Sequence, residues 1–371
     1  MESGFLAEKE VHNIRPLWEK VFAEDSKAFT EYYFANKAEH NLVFTRMDGE
    51  QIVSMLHLAP YLTDKMEPVC YIVGVATEEE YRRQGLMADM MKEALHFMWE
   101  EGQPFAFLMP ANPAYYTPFQ FTYIYDKPVW KLNETVLPPR YLDAAAKYGA
   151  EFHLVIKEKG TLQIKVAKDA DFIKIAEFAN KMLKQNSDCY MFRNSHYYKI
   201  LKKELVAQNG NLFMIEKDGV LKAILAYVKE NEKPGAQEVI MNEDLSEWQL
   251  IDADTYKPAI MARILRIEEM FASMQSMGQV DLLVEISDDI LEKNNGLYHL
   301  YSLENGEMVC KKRKSVKADC KVSIDDLTAF IFGYKSAEEC FEISNETARS
   351  EIIKSLEQIM VLKRVFITEI V

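Results

Sequence analysis

Val69-Cys70-Tyr71-Ile72-Val73-Gly74-Val75-Ala76-Thr77, then Glu78-Glu79-Glu80-Tyr81-Arg82-Arg83-Gln84-Gly85, then Leu86-Met87-Ala88-Asp89-Met90-Met91: the order of these runs decides the fold. The first is short, apolar and rich in β-branched residues, so it predicts a buried strand that the glutamates end. The second is a basic turn holding one glycine. From Leu86 onward, Leu86, Met87, Met90, Met91, Ala94, Leu95 and Met98 recur at helical spacing, with Asp89, Lys92, Glu93 and Glu100 elsewhere on the surface. Gly102 is placed as a helix stop, and residues 105–109 predict the next buried strand.

A basic, glycine-containing turn at a helix N-terminus has a physical meaning. First-turn N–H groups lack intrahelical partners, and the helix dipole concentrates partial positive charge beside them. Glycine lets the backbone approach a ligand closely, and arginine adds full charge, so the combination suits a phosphate or pyrophosphate. A solvated turn that merely starts a helix is the plainer alternative. The turn is not a P-loop, because no Gly-Lys-Ser/Thr follows, and it lacks the three glycines of a dinucleotide fingerprint.

The run Arg82-Arg83-Gln84-Gly85-Leu86-Met87 resembles the acetyl-CoA pyrophosphate loop of GNAT acetyltransferases, Arg/Gln-x-x-Gly-x-Gly/Ala, with Met87 standing where that pattern has a small residue. With Tyr116-Thr117-Pro118-Phe119-Gln120-Phe121 and the closing Phe366-Ile367-Thr368-Glu369-Ile370-Val371, the chain resembles the enhanced intracellular survival (Eis) type of that family. The resemblance implies an α+β fold: tandem GNAT-like domains followed by a domain similar to sterol carrier protein 2. It also implies acetyl-CoA as co-substrate and a symmetric homo-oligomer, often a hexamer.

Composition sets the outer bounds. A chain of 371 residues with 49% hydrophobic content is expected to form two or three domains with ample core. A net charge of −14 argues against a nucleic-acid partner and is compatible with a cationic substrate. Five widely spaced cysteines without a CxxC, and scattered histidines, predict neither a disulfide framework nor a metal site. With no signal pattern at the N-terminus and no apolar run long enough to span a membrane, a cytoplasmic protein is expected.

Residues 14–34 read as helices, and 41–62 as a hairpin about Asp48-Gly49. Leu137-Pro138-Pro139-Arg140 marks an edge. Beyond it, 211–219 repeats the layout of 41–49 around Asp218-Gly219, again preceded by two amphipathic segments (170–183 and 190–201). Such self-similarity suggests a duplicated fold, two unrelated hairpins with common turn chemistry being the alternative. The second copy has no Arg-x-x-Gly turn, so one cofactor site per chain is expected. The predicted division is 1–137 for the acetyltransferase domain, 138–257 for the second copy and 258–371 for the C-terminal domain. In the last, 262–267 reads as a strand and 280–316 as a meander. Lys311-Lys312-Arg313-Lys314 reads as a solvated strand edge.

Acyl transfer from a thioester to an amine needs a neutral amine, a polarised carbonyl and a proton for the departing thiolate. The end of the first strand, Val75, Ala76 and Thr77, offers backbone N–H groups of the oxyanion-hole kind. Ala111 and Asn112 end the second strand, and the resemblance implies that pantetheine lies between the two. Arg83, Gln84, Gly85, Leu86, Met87 and Ala88 are expected to hold the pyrophosphate. Tyr116, protonated at neutral pH, is the general-acid candidate; one aromatic among many is as readily a core residue. The resemblance assigns the base to the C-terminal carboxylate of Val371. The apolar character of 365–371 predicts a docked chain end, with Glu369 or a carboxylate of the first domain as the alternative base. The expected function is acetyl transfer to a primary amine of a small cationic or peptide acceptor. The alternative is an apolar-ligand-binding protein with a vestigial acetyltransferase site.

Overall fold

The computed structural model describes residues 2–230, 233–314 and 317–369. The chain opens with β1 (Glu2–Phe5), α1 (Arg15–Val21), α2 (Lys27–Asn36), β2 (Leu42–Asp48), β3 (Gln51–Leu62) and β4 (Pro68–Thr77). It continues with α3 (Leu86–Glu100), β5 (Phe105–Leu108) and β6 (Thr122–Pro128). Successive side chains of a strand face opposite ways, and this sheet is covered on both sides. Phe44 and Leu56 pack with the α3 methionines Met90, Met91 and Met98, while their neighbours Val43 and Met55 pack with Leu17, Trp18 and Tyr33 of α1 and α2.

The first sheet runs β1-β2-β3-β4-β5, then the strand Tyr256–Ile264, then β6. The segment read as opening the C-terminal region therefore lies inside the first sheet. Arg263 faces Ala106 of β5, and Ala262 faces both Phe107 of β5 and Thr122 of β6.

A second sheet repeats the layout of the first. The strand Gly160–Val166, helices Phe172–Asn186 and Ser195–Ala207, and strands Asn211–Lys217, Val220–Glu230 and Lys233–Met241 follow in the order of β1, α1, α2, β2, β3 and β4. They pair in the same order too. Even the irregularities correspond. Arg46 faces Ser54 while Met47 faces Ile52, and Ile215 faces Ala223 while Glu216 faces Leu221, so each hairpin bulges at the same distance from its turn. The copies diverge next: β4 leads to α3, whereas Lys233–Met241 leads to a short 3-10 segment, Glu243–Trp248.

The third sheet runs Met308–Arg313, Gly296–Ser302, Asp281–Ser287, Cys320–Ser323. The lysine-rich strand is thus an edge, and Lys311, Lys312 and Arg313 are exposed there, as expected. This unit shares the core of the first sheet: the Phe105 and Phe332 rings meet at 5.2 Å, and the Ile264 N–H donates to Thr328 Oγ1 at 3.1 Å. The chain end is docked as far as it is described. Val365 and Phe366 pair in parallel with Cys189 and Tyr190, and Ile367, Thr368 and Glu369 are buried.

Candidate active site

β4 and β5 are parallel neighbours only briefly. Cys70 faces Ala106 and Tyr71 faces Phe107; then β5 ends at Leu108 while β4 continues to Thr77. The β4 edge toward β5 is therefore open from Ile72 onward. On the other side, Met55 faces Ala76 and His57 faces Val73, so Gly74 and Val75 form a bulge opposite Leu56. Gly74 has φ +61, and a Cβ there would stand 2.7 Å from Cζ3 of Trp18 and 3.1 Å from Cδ2 of His57. Only glycine fits. The bulge kinks β4 just before Val75, Ala76 and Thr77, and the Thr77 hydroxyl is held 2.7 Å from Ser54 Oγ.

The basic turn follows directly. Arg83 (φ +63) and Gly85 (φ +84) are both left-handed, bracketing Gln84, and Gly85 is the N-cap residue of α3 with no side-chain cap. The first main-chain bond of the helix runs from the Asp89 N–H to the Gly85 carbonyl at 3.0 Å. This leaves the N–H groups of Leu86, Met87 and Ala88 without helical partners. Arg82 ties the turn to β4 through its Nε and the Thr77 carbonyl at 3.1 Å, and Gln84 Nε2 donates to the Glu80 carbonyl at 3.0 Å. Arg83 is exposed and forms no ion pair with another described residue. Asp89 is the acidic residue of this first turn.

Across the split, Ala111 and Asn112 are exposed. Asn112 Oδ1 accepts from the Ala114 N–H at 3.0 Å, so the polar residue after β5 also caps the 3-10 turn Pro113–Tyr115. Tyr116 lies between this turn and the next, Thr117–Phe119. It is 8% exposed, whereas Tyr115 is 60% exposed. Burial, with a smaller effect from Tyr115, pushes its phenol up to about 12. The loop is fastened from outside: buried Arg263 donates to the Phe119 carbonyl at 2.6 Å and pairs with buried Asp288. Gln120 Oε1 accepts from the Asp289 N–H at 2.8 Å.

Sequence reasoning missed a cavity of about 420 Å³ between α2, the far end of β3 and the helix Ser195–Ala207. Lys37, Glu204 and Glu369 line it. Glu369, named as an alternative base, is ion-paired with Arg193, and its other oxygen accepts from the Thr368 N–H at 3.0 Å. Burial pushes its carboxyl up against the pull of Arg193. Ile370 and Val371 lie outside the described residues.

Residues 5–124 match the family model of the acetyltransferase (GNAT) domain, and 267–368 match that of the sterol carrier protein domain. The chain thus joins a GNAT acetyltransferase domain to a sterol carrier protein domain, and it is an enzyme of the acetyltransferase class. Solved structures share the fold over the whole length. A GCN5-related N-acetyltransferase from Anabaena variabilis aligns over 100% of both chains (TM-score 0.76, 13% identity). A conserved protein of unknown function from Enterococcus faecalis aligns over 98% of both (0.76, 16%). Eis1 from Mycobacterium abscessus aligns over 100% of both (0.70, 9%), so the expected Eis-type architecture is present. No curated protein is significantly similar in sequence.

Proposed function

We propose that the chain transfers an acetyl group from acetyl-CoA to a primary amine by direct attack with both reactants bound. The observation that carries this reading is the unpaired N–H row of Leu86, Met87 and Ala88 beside Arg83, set next to a strand edge that β5 leaves open. The residues fit the group. Arg83, Gln84 and Gly85 with those N–H donors hold the pyrophosphate, the edge of Val75, Ala76 and Thr77 aligns pantetheine and polarises the thioester carbonyl, and Ala111 and Asn112 form the opposite wall. As the amine nitrogen bonds to the acetyl carbon, the carbon–sulfur bond breaks. The Val371 carboxylate takes the amine proton, and Tyr116 donates to the leaving sulfur. Support for Val371 comes from the family resemblance and from Glu369, two residues earlier, lining the cavity. Catalysis is mainly positioning of two bound reactants.

The proposed division is 1–137, 138–257 and 258–371, with the strand Tyr256–Ile264 returning to the first sheet. A homo-oligomer acting in the cytoplasm completes the proposal. The experiment is thiol release from acetyl-CoA with a panel of amines. Turnover with any amine supports the reading, and failure of acetyl-CoA to bind at all rejects it.

A further inference from the structure

Tyr116 stands in a segment that local structure fixes only weakly. It lies between two 3-10 turns of three residues each, Pro113–Tyr115 and Thr117–Phe119, and turns this short have poor hydrogen-bond geometry. The second is closed by the Phe119 N–H on the Tyr116 carbonyl and the Gln120 N–H on the Thr117 carbonyl, both at 2.9 Å. Among the described residues the Tyr116 hydroxyl has no hydrogen-bond partner, and its ring meets that of Phe121 edge-on at 6.4 Å. The direction of the phenol is therefore set by packing and by the backbone that carries it.

That backbone is gripped from a distant part of the chain. Gln120 ends the second turn in the left-handed region at φ +59, a conformation that costs a non-glycine residue energy unless its surroundings hold it. Its side chain supplies the hold. Gln120 Oε1 accepts from the Asp289 N–H at 2.8 Å, while Arg263 donates to the neighbouring Phe119 carbonyl at 2.6 Å. Asp289 belongs to a loop closed by its own bonds. Asp288 accepts from the Ile290 and Leu291 N–H groups at 2.9 and 2.7 Å and from Asn294 Nδ2 at 2.9 Å. Asn295 bonds both main-chain groups of Asp288 at 2.7 Å. Arg263 and Asp288 are buried and paired, so part of this clasp lies where water does not replace a broken bond.

We infer that Gln120 is a positioning residue for acyl transfer: through it, the loop 288–295 of the sterol-carrier-type unit holds the turn that aims the Tyr116 phenol at the split between β4 and β5. This rests on the role proposed for Tyr116 in acetyl transfer and adds what aims it.

The test measures thiol release from acetyl-CoA with spermidine, 2-phenylethylamine and a lysine peptide, and acetyl-CoA affinity separately by calorimetry. Glycine adopts a positive φ freely, so Gln120→Gly removes the side chain without adding strain and should melt within a few degrees of the parent. It should lower kcat by roughly tenfold to 100-fold with acetyl-CoA affinity unchanged. Gln120→Glu, which keeps the accepting oxygen, should recover most of that loss. Because Gln120 acts through Tyr116, adding Gln120→Gly to Tyr116→Phe should change kcat by less than about twofold. Full kcat in Gln120→Gly, or a loss that multiplies with that of Tyr116→Phe, overturns the inference and leaves acetyl transfer standing. Full kcat in Tyr116→Phe overturns the proton-donor reading and this inference with it. A parent that binds no acetyl-CoA overturns the acetyl-transfer reading as well.

A second measurement needs no amine and decides the inference even where none of the three turns over. The Tyr116 phenol is followed from pH 8 to 11 by NMR of ζ-carbon-labelled tyrosine, its signal being the one that Tyr116→Phe removes. In the parent, burial holds it up at about 12 and it stays neutral across that range; in Gln120→Gly it should ionise nearer the ordinary tyrosine value of about 10. An unmoved titration overturns the inference.

Discussion

Tyr116 and His57 are both buried, and burial moves them in opposite directions because it always penalises the charged form. The Tyr116 phenol rises to about 12, so it stays protonated well past the ordinary tyrosine range. The rate should therefore show no alkaline decline from Tyr116 below about pH 10. Tyr116→Phe should lower kcat by about 100-fold with acetyl-CoA affinity preserved; unchanged kcat would place the proton donor elsewhere. His57 falls to about 3 and shares a hydrogen bond with the Tyr33 hydroxyl at 2.8 Å behind the β4 bulge. A folded pKa below the unfolded 6.5 means stability is fully present above pH 6.5 and is lost as pH falls toward 3. Denaturant titrations should show a slope of about 1.4 kcal/mol per pH unit from this group, which His57→Gln removes. At this scale the position of Tyr116 in the loop after the second strand was legible. Gly74 was not, since nothing local in Val73-Gly74-Val75 reveals that Trp18 and His57 occupy the space of its Cβ.

Among elements, those set by local periodicity were legible: the β2–β3 hairpin, α3 and its glycine-led start, and the recurrence of the hairpin at 211–219. The strand Tyr256–Ile264 was legible as a strand but not in its sheet, because its partners β5 and β6 lie more than a hundred residues earlier. The same distance hid Arg263 and Asp288, charged residues that a sequence reading sends to the surface and that the fold buries against the Tyr116 loop. Breaking a buried pair leaves one charge uncompensated. Asp288→Asn should cost about 3–5 kcal/mol of stability, and the paired change Arg263→Met with Asp288→Leu should recover most of it. Equal melting temperatures for Asp288→Asn and the parent would mean the pair carries no such role.

For the molecule as a whole, one core runs from the first sheet into the sterol-carrier-type unit, and the chain end returns across the second copy to the cavity. The Arg193 cluster with Glu238, Thr368 and Glu369 fixes that end. If Val371 supplies the base, a few residues appended after it should lower kcat by about 100-fold while leaving acetyl-CoA affinity intact. An extended chain with full kcat would assign the base elsewhere.

The turn leading into α3 is proposed to hold acetyl-CoA, and a calorimetric titration of acetyl-CoA into the parent and into Gly85→Glu puts this to the test. Nothing stands within 4 Å of a Cβ at Gly85, so the substitution carries only the strain of its φ of +84, about 1 kcal/mol, and the melting temperature should move by a few degrees at most. Clear binding to the parent and none to the folded variant is expected, because a carboxylate then occupies the place of the pyrophosphate. Equal affinity in the two proteins would contradict it.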